Sequence, residues 1–502
     1  MQNTKYLDSY LEKTSANTRS KAAIAYLASL DYLSDSNPSI AQAIVQELKD
    51  QRSYLKMIAS ENYSSYAVQL AMGNLLSDKY AEGYPFHRFY AGCENVDYIE
   101  NEAVESLKEL FSAEHAYVQP HSGADANLVA FWAILLKNVQ SKEVERLGKK
   151  SLDECSPEEY EAIRQLLVNQ KVLGMSLNSG GHLTHGYRHN ISSKMMKAAF
   201  YDVDQKTEQL DYKNILERAK AEKPAILLAG YSAHPRKINF AKMKEIATAV
   251  GATLMVDMAH FAGLVAGKAF QGDFNPIPFA DIVTSTTHKT LRGPRGGIVL
   301  CKEEYKEYVN KGCPLVLGGP LPHVIAAKAI AFKEALEPSF SDYAHKVVEN
   351  AQSLAEALMK RGIRLVSGGT ENHMVIMDVS RFSITGRQAE LALREAHITA
   401  NRNAIPFDPN GPWYTSGVRL GTPALTSLGL GKAEMHLIAN IIVDALEATK
   451  AAPSIKGGVS KSLIETDQQV FNSLQGKVQE LLQSYPLYPE LLLTEYECAS
   501  CG

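Results

Sequence analysis

The chain has 502 residues, with 52 Lys and Arg against 56 Asp and Glu, so its formal net charge is −4. Hydrophobic residues make up 45% of it, which excludes an intrinsically disordered protein, and the near-neutral charge argues against a nucleic-acid-binding protein. The longest apolar run, residues 128–136, is shorter than the roughly 20 residues of a membrane-spanning helix. We therefore expect no nucleic-acid partner and no membrane insertion.

The N-terminus lacks a basic patch followed by an apolar stretch, so we expect no secretory signal. The 6 cysteines are scattered, which indicates a reducing cytoplasmic location rather than a disulfide framework. Cys498 and Cys501 form a C-x-x-C pair with no second pair and no nearby His. We interpret this pair as inert rather than metal-binding, and we expect no metal site.

Residues 1–56 are predicted to form an N-terminal helical arm. Pro38 suits the first turn of a helix that Asn37 caps, and Ile40, Ile44 and Leu48 follow at helical spacing.

A different pattern begins near residue 115. Short apolar runs at 225–229, 252–256, 281–285 and 297–301 are typical of strands buried on both faces, and a helical pattern at 241–250 ends at Gly251. This alternation predicts parallel βαβ units in an α/β fold, with a mostly parallel sheet covered by helices. In such sheets ligands bind at the carboxyl ends of the strands.

The pattern also predicts how the rest of the chain is divided. A large domain is predicted over residues 57–343, with a solvated helical insertion at 138–170 that carries no chemistry. Residues 321–360 are predicted to form one long helical segment, which leads into a smaller C-terminal α/β domain over 344–502.

The strongest chemical signal lies in residues 283–297, where hydroxyl side chains follow a buried strand and precede His288, Lys289 and a Gly/Pro-rich turn. A Lys near an apolar sheet end can lose its proton and form a Schiff base. Asp257 ends an earlier buried strand, where an unpaired carboxylate is costly. It is either a structural ion-pair partner or the partner of the protonated ring nitrogen of pyridoxal phosphate.

A second signal points to an anion. Ser122 and Gly123 follow the strand-like residues 116–118 and open an apolar helix, whose N-terminal N–H groups can bind phosphate. A plain helix cap remains the alternative. The sequence contains no P-loop, no G-x-G-x-x-G and no H-E-x-x-H motif.

Six sequence blocks in one order resemble the serine hydroxymethyltransferase family. The blocks are IASENY at 58–63, KYAEGYP at 79–85, GGHLTHG at 180–186, VDMAH at 256–260, TTHK at 286–289 and RLGTP at 419–423. The resemblance implies the type I fold of pyridoxal-phosphate enzymes, in a homodimer or a dimer of dimers. It also implies reversible transfer of the serine hydroxymethyl carbon to tetrahydrofolate, which gives glycine and 5,10-methylenetetrahydrofolate.

The resemblance also implies residue roles. Lys289 would hold pyridoxal phosphate as an aldimine, Asp257 would pair with the pyridine nitrogen, and His182 would stack on the ring. The other implied cofactor-binding residues of the same chain are His260, Ser122, Gly123 and Ser232. Gly319 of the partner subunit would contribute to the phosphate site. The implied catalytic set is Lys289, Glu82, His182, Tyr80, Asp257 and His288, of which His288 would influence substrate specificity.

Two substrate sites complete the implied set. Arg419 would clamp the amino-acid carboxylate with the help of Ser60, and the other implied substrate-binding residues are Tyr80, Tyr90 and Glu82. Tyr80, Tyr90 and Glu82 would act across the dimer interface, with Glu82 shuttling protons. The implied folate contacts are Leu177, Gly181, His182, Leu183 and Asn403.

The chain departs from the family pattern at a few positions. Leu317 stands where the family has Gln, and Ser427 and Leu428 stand where it has arginines. These changes predict retained chemistry in an altered pocket, with side racemase or aldolase activity. The alternatives are a folate-independent aldolase or alanine racemase on the same scaffold, and a non-catalytic regulatory relative. The presence of both Lys289 and Asp257 argues against the last.

Overall fold

A computed structural model describes residues 5–454 and 457–493 of the chain, so the Cys498/Cys501 pair lies outside the described residues. The helices are α1 (Tyr6–Lys13), α2 (Lys21–Ser36), α3 (Pro38–Ser53), α4 (Tyr66–Met72), α5 (Glu94–Phe111), α6 (Gly123–Leu135), α7 (Ser141–Arg146), α8 (Pro157–Val168), α9 (Ser192–Met195), α10 (Tyr212–Glu222), α11 (Phe240–Val250), α12 (Ala262–Ala266), α13 (Lys306–Asn310), α14 (Gly312–Leu315), α15 (Pro322–Leu336), α16 (Pro338–Lys360), α17 (Gly386–Glu395), α18 (Gly411–Tyr414), α19 (Pro423–Ser427), α20 (Lys432–Glu447) and α21 (Gln468–Ser484).

The strands are β1 (Leu55–Lys56), β2 (Gly83–Tyr84), β3 (His87–Arg88), β4 (His115–Tyr117), β5 (Lys171–Met175), β6 (Lys197–Tyr201), β7 (Ile226–Gly230), β8 (Thr253–Asp257), β9 (Ile282–Thr286), β10 (Gly297–Cys301), β11 (Met374–Asp378), β12 (Ile398–Thr399), β13 (Asn401–Asn403), β14 (Gly417–Gly421), β15 (Thr449–Pro453) and β16 (Val459–Thr466).

A 7-stranded sheet in the order β4-β10-β9-β8-β7-β5-β6 forms the centre of the molecule. Strands β9, β8, β7, β5 and β6 are parallel, as the sequence predicts. Strand β10 is antiparallel to both β9 and β4. The connection from β9 to β10 contains no crossover helix, and a parallel return requires one of about a dozen residues. The α/β fold with a mostly parallel sheet is thus confirmed.

The N-terminal helices α1, α2 and α3 pack against one another and against the C-terminal end of the described chain. Helix α3 begins at Pro38, and the Asn37 side chain accepts a hydrogen bond from the N–H of Ile40, as predicted. Their apolar cluster includes Tyr63 and Leu487.

A smaller antiparallel sheet, in the order β11-β14-β13, forms a second core with α16, α17, α20 and α21. Strand β1 pairs with β12, so Leu55 and Met57 belong to this core as well. The single helical segment predicted over 321–360 is wrong: α15 ends at Leu336 and α16 begins at Pro338. Proline lacks the N–H that would continue a helix, but it suits a first turn.

Residues 138–170 form helices α7 and α8, and charged side chains cover their outer faces. Their inner faces are apolar, because Val144, Ile163 and Leu167 are buried in a core cluster beside the sheet. Within residues 5–454 and 457–493, no helix has both the length and the apolar character needed to cross a membrane.

Candidate active site

A cavity of about 490 Å³ opens where the parallel strands β7, β8 and β9 end. Residues that directly follow these strands line the cavity. The carboxyl ends of the strands are where an α/β sheet binds ligands. Ten of the residues that sequence analysis singles out line this cavity, namely Ser60, Ser122, Gly123, His182, Ser232, Asp257, His260, His288, Lys289 and Arg419.

Asp257 occupies the end of β8 and is buried. Its Oδ2 accepts hydrogen bonds from Asn127 Nδ2 at 2.9 Å and from His185 Nε2 at 3.1 Å, and its Oδ1 accepts one from the N–H of Ala259. Burial raises the pKa of Asp257, but the hydrogen bonds from His185 and Asn127 and the electrostatic interactions with His185 and His182 outweigh it and hold the pKa well below its ordinary value. The group is therefore an anion at the floor of the cavity.

Asn127 connects Asp257 with His182. Its Nδ2 donates to Asp257 and to Thr184 Oγ1, and its Oδ1 accepts from Thr284 Oγ1 at 2.6 Å. Thr184 Oγ1 lies 2.7 Å from His182 Nδ1, which also accepts from the Thr184 N–H. These bonds use Nδ1 of His182 as an acceptor and leave its Nε2 to carry the proton.

The Lys289 amine is close to the strand ends and largely buried, and no described acceptor lies within hydrogen-bond distance of it. Its backbone is held, because Asn62 Nδ2 donates to the Lys289 carbonyl at 2.9 Å and to Tyr343 Oη at 2.7 Å. The pKa of Lys289 is lowered to about 8, chiefly by burial; the charge of Asp257 opposes this shift, whereas those of Arg419 and Arg295 contribute to it. The site thus keeps a nucleophilic amine available near neutral pH.

The pKa of Lys289 gives a pH prediction. A pKa of about 8 leaves about a tenth of the amine neutral at pH 7, against about 0.03% for an ordinary lysine. Only the neutral form attacks an aldehyde, so the rate at which pyridoxal phosphate combines with the apoprotein should rise about tenfold per pH unit and level off above about pH 8. Stopped-flow absorbance measures this rate. A rise that continues to pH 10 would contradict a lowered pKa.

Arg419 lies on β14 and reaches across to the end of β7. Its Nη1 donates to the Ser232 carbonyl and its Nε donates to Asn401 Oδ1 at 3.2 Å. Among the residues that the structure describes, no Asp or Glu lies within ion-pair distance of this guanidinium. Burial lowers its pKa to about 10, so it remains a cation. A largely buried cation without a protein anion is matched to an anionic ligand.

The cavity lining also includes the start of α6, where the N–H groups of a helix N-terminus could bind an anion. Ser122 Oγ accepts from the N–H of Asp125 and caps this 13-residue helix. A Cβ on Gly123 would lie 2.6 Å from Thr286 Cγ2, so only glycine lets the helix start approach β9. Arg295 and His288 also line the cavity. Burial lowers the pKa of His288 to about 3, with Arg295 and Lys289 adding to the effect.

A buried lysine outside the cavity holds this part of the lining in place. Lys328 on α15 is 1% exposed, and its Nζ donates to the carbonyls of Val118, Pro120 and Gly297 at 2.6, 3.0 and 2.9 Å. Burial lowers the pKa of Lys328 to about 7, whereas only the ammonium form can donate to all 3 carbonyls. The lysine thus ties the end of β4, the start of β10 and the segment before α6 together.

Replacing Lys328 with Met should lower the free energy of unfolding by about 3 kcal/mol, because buried carbonyls lose their donor. Chemical denaturation of the apoprotein measures the change. The matched control is Lys333→Met, on the same helix but with a side chain that is 59% exposed and paired with Glu102. This control should change the free energy by less than about 0.5 kcal/mol. Equal effects of the two substitutions would contradict the structural role of Lys328.

The predicted tyrosine and glutamate residues lie together but outside this cavity. Tyr80 Oη donates to Glu82 Oε1 at 3.1 Å, and Tyr90 Oη donates to Glu82 Oε2 at 3.3 Å. Both tyrosines are exposed, and Glu82 raises the pKa of each. Gly319 lies beside this cluster, since a Cβ on it would lie 3.3 Å from the Tyr80 ring, and its carbonyl lies 3.1 Å from His121 Nε2.

The predicted folate positions are only partly brought together. A second cavity of about 330 Å³ is lined by Leu177 and shares His182 with the first cavity. Gly181 lies against the backbone of β5, where a Cβ would lie 2.0 Å from the Met175 carbonyl oxygen. Leu183 is 46% exposed, and Asn403 donates to the Ala404 carbonyl; neither lines either cavity.

Side-chain nitrogen and oxygen atoms of His182, His185 and Asp257 lie within 4.8 Å of one another. Hydrogen bonds account for this proximity: His185 Nε2 donates to Asp257, and His182 Nδ1 accepts from Thr184. We therefore interpret the group as a hydrogen-bonded set around a carboxylate rather than a metal site.

The donor set of the cavity fits pyridoxal phosphate. A free amine suits its aldehyde, and an anionic carboxylate on the cavity floor suits a protonated ring nitrogen. The capped helix start with Arg295 suits its phosphate. Lys289, Asp257, Ser122 and Gly123 are the residues that would hold these groups.

Several residues of the site were not predicted from the sequence. Asn127, His185 and Thr284 hold Asp257 and His182, and His373 contacts His260. A buried polar side chain needs a hydrogen-bond partner, so an Asn in a largely apolar helix could have marked Asn127 as a candidate site residue. His185 lies inside the 180–186 block, but its role cannot be read from its position there.

Comparisons with known proteins agree with this geometry. The family model described as serine hydroxymethyltransferase matches residues 33–144 and 153–442, so it is interrupted only within the predicted insertion. A serine hydroxymethyltransferase of Chlamydia trachomatis serovar D is 57% identical over 487 residues, which is 97% of this chain and 98% of that protein. A serine hydroxymethyltransferase of Treponema pallidum is 56% identical over 489 residues, covering 97% of this chain and 85% of that protein.

A serine hydroxymethyltransferase of Chlamydia muridarum is 56% identical over 490 residues, covering 97% of this chain and 99% of that protein. The residues that the family model matches include the 7-stranded sheet and the β11-β14-β13 sheet. The chain therefore belongs to the serine hydroxymethyltransferase family.

Proposed function

We propose that this chain is a pyridoxal-phosphate enzyme that reversibly transfers the hydroxymethyl carbon of serine to tetrahydrofolate, giving glycine and 5,10-methylenetetrahydrofolate. The observation that carries the proposal is the arrangement of three charged or nucleophilic groups around one cavity. These groups are the Lys289 amine, which has no hydrogen-bond acceptor among the described residues, an anion at Asp257, and the Arg419 guanidinium, which has no carboxylate partner among them. An amino acid with its carboxylate on Arg419 would have its amine directed toward Lys289.

Pyridoxal phosphate, when bound, supplies the electron sink for cleavage of a bond at the amino-acid α-carbon. The chain's residues select which bond breaks. Arg419 orients the carboxylate through the N–H groups that Ser232 and Asn401 leave free. Asp257 keeps a negative charge that would pair with a protonated ring nitrogen, and His182 holds a proton on Nε2 because Thr184 occupies Nδ1. Orientation of the substrate thus decides the reaction.

A comparison of substrates tests the proposal. Purified protein loaded with pyridoxal phosphate should form glycine from L-serine, and the rate should increase strongly when tetrahydrofolate is added. The same preparation is given L-alanine, and D-alanine is measured by chiral chromatography. If serine and tetrahydrofolate gave no glycine while L-alanine became D-alanine, the racemase alternative would replace the proposal.

We infer further that the working form is a homodimer with shared active sites, located in the cytoplasm. Tyr80, Glu82 and Tyr90 lie outside their own chain's cavity, which supports a role in the cavity of a partner. Large exposed apolar side chains occur in the same stretch and in α14, as expected at a protein interface, and they are Leu75, Phe86, Phe89, Tyr98 and Leu315. Sedimentation analysis distinguishes a homodimer from a dimer of dimers.

Shared sites predict complementation between two inactive variants. In a dimer of Lys289→Ala with Glu82→Gln, one site would combine an intact Lys289 with an intact Glu82. Random mixing gives half mixed dimers with one working site of two, so co-expression should restore about a quarter of wild-type glycine formation. Each variant expressed alone is the control. Activity no higher than the sum of the separate variants would show that Glu82 acts within its own chain.

A further inference from the structure

Two buried histidine rings meet at the edge of the cavity. His260 follows β8, and His373 precedes β11 of the smaller sheet. Their rings stack with centroids 5.4 Å apart, and His260 Nδ1 lies 3.2 Å from His373 Nε2. His260 lines the cavity, whereas His373 is completely buried and does not.

The two rings share a single hydrogen bond. Burial lowers the pKa of His260 well below its ordinary value and the pKa of His373 to about 3, and the nearby cations Lys289 and Arg419 act in the same direction. Both rings are therefore neutral, and each carries one N–H. Either His373 Nε2–H donates to His260 Nδ1, or His260 Nδ1–H donates to His373 Nε2.

The remaining nitrogen of His373 distinguishes the two arrangements. His373 Nδ1 is buried and has no hydrogen-bond partner among the described residues. If His260 were the donor, His373 would carry its proton on Nδ1, as an orphaned buried N–H. If His373 is the donor, Nδ1 is only an unused lone pair. Orphaned buried N–H groups are rarer in proteins than unsatisfied acceptors, so the second arrangement has the lower free energy.

The geometry points to His373 as a positioning residue that fixes the tautomer of His260, so that His260 presents an Nε2–H donor to the cavity. Nε2 is the nitrogen that His373 leaves free, and the residue lines the cavity floor beside Asp257 and Ala259. A donor there suits an acceptor oxygen on the cofactor ring. This role of the donor rests on the proposed function, whereas the tautomer itself does not.

The backbone of His373 is anchored independently of its ring. Its carbonyl accepts hydrogen bonds from the N–H of Thr422 at 3.1 Å and from Thr422 Oγ1 at 3.4 Å. The neighbouring Asn372 donates to Tyr231 Oη and to the His234 carbonyl. These contacts join the smaller sheet to the segment after β7, so a substitution of the His373 ring can leave its position in the chain intact.

The tautomer can be measured directly. In the full-length apoprotein labelled with 15N-histidine, long-range 1H–15N NMR spectra distinguish Nδ1–H from Nε2–H, and a His260→Asn variant assigns the signal. We expect Nε2–H at His260 in the unsubstituted protein. Nδ1–H at His260 would overturn the inference, and this result needs no variant of His373 to fold.

Two substitutions test the role toward the cofactor. In His373→Gln the side-chain amide can still donate to His260 Nδ1, whereas His373→Leu removes the donor. We expect the dissociation constant for pyridoxal phosphate, followed by its visible absorbance, to rise about tenfold in His373→Leu and less than about threefold in His373→Gln. Equal affinities of His373→Leu and the unsubstituted protein would overturn the role. A protein that never binds pyridoxal phosphate would instead refute the proposed function, with the tautomer measurement still valid.

Discussion

Replacing Lys289 with alanine is expected to abolish the visible absorbance band of lysine-bound pyridoxal phosphate and to lower the rate of serine cleavage by at least ~10³-fold. The physical reason is local. Lys289 has a largely buried amine with no acceptor within residues 5–454 and 457–493, and its pKa is lowered to about 8. No other lysine lines the cavity among the residues that the structure describes, so no neighbour can replace it.

Two measurements test this variant. The first is absorbance at roughly 300 to 500 nm, where the bound cofactor absorbs, and the second is the rate of serine cleavage. Lys306→Ala is the matched control, because Lys306 lies on α13 with an exposed side chain that forms an ion pair with Glu303. It should leave both quantities unchanged. A Lys289→Ala protein that kept its colour and its activity would show that another amine holds the cofactor.

Replacing Asp257 with asparagine is expected to lower kcat by ~10²- to 10³-fold, the loss typical when one preorganised electrostatic group is removed. Asparagine has nearly the same shape, and its carbonyl oxygen can still accept from Asn127 or His185. The substitution removes the negative charge that the hydrogen bonds and the neighbouring histidines maintain at Asp257. The bound ring would then lose the partner that keeps its nitrogen protonated.

Asp281→Asn offers a matched comparison, because Asp281 is a buried carboxylate next to the same strands. It accepts from the N–H of Leu254 and from Lys244 Nζ, and it precedes β9 at the opposite end of the sheet. We expect Asp281→Asn to lower the stability of the protein without lowering kcat. If Asp257→Asn kept kcat within about threefold of the unsubstituted enzyme, the electrostatic role of Asp257 would be wrong.

The sequence was sufficient for the parts of the site that depend on local pattern. Continuous apolar runs identify β7, β8 and β9, and in a parallel sheet the residues just after such strands meet at one edge. Asp257 and Lys289 both occupy such positions and line one cavity in the structure. The cap at Asn37 and the helix end at Gly251 depend equally on neighbouring residues, and both are confirmed.

Contacts between distant segments could not be predicted in this way. Asn127 and Asp257 are 130 positions apart, and His260 and His373 are 113 positions apart and adjoin strands of two different sheets. A pattern of apolar residues does not specify which polar side chains will pair across such separations. The direction of β10 was missed for a different reason, since an apolar run marks a buried strand but carries no information about its direction.

The structure shows what two of the residues that depart from the family pattern contact. Ser427 Oγ donates to Asn62 Oδ1 at 2.7 Å, and Asn62 in turn donates to the carbonyl of Lys289. The serine therefore supports the segment that carries the reactive amine. Leu317 packs at the side of the apolar cluster around α6, away from the cavity lining.

Transfer of a labelled carbon tests the central claim most directly. L-serine labelled with 13C at its hydroxymethyl carbon is incubated with the holoenzyme and tetrahydrofolate, and the products are followed by 13C NMR. The proposed function predicts that the label enters the methylene group of 5,10-methylenetetrahydrofolate while unlabelled glycine accumulates in equal amount. Label that remained in serine, or that was released as free formaldehyde at the same rate without tetrahydrofolate, would contradict it.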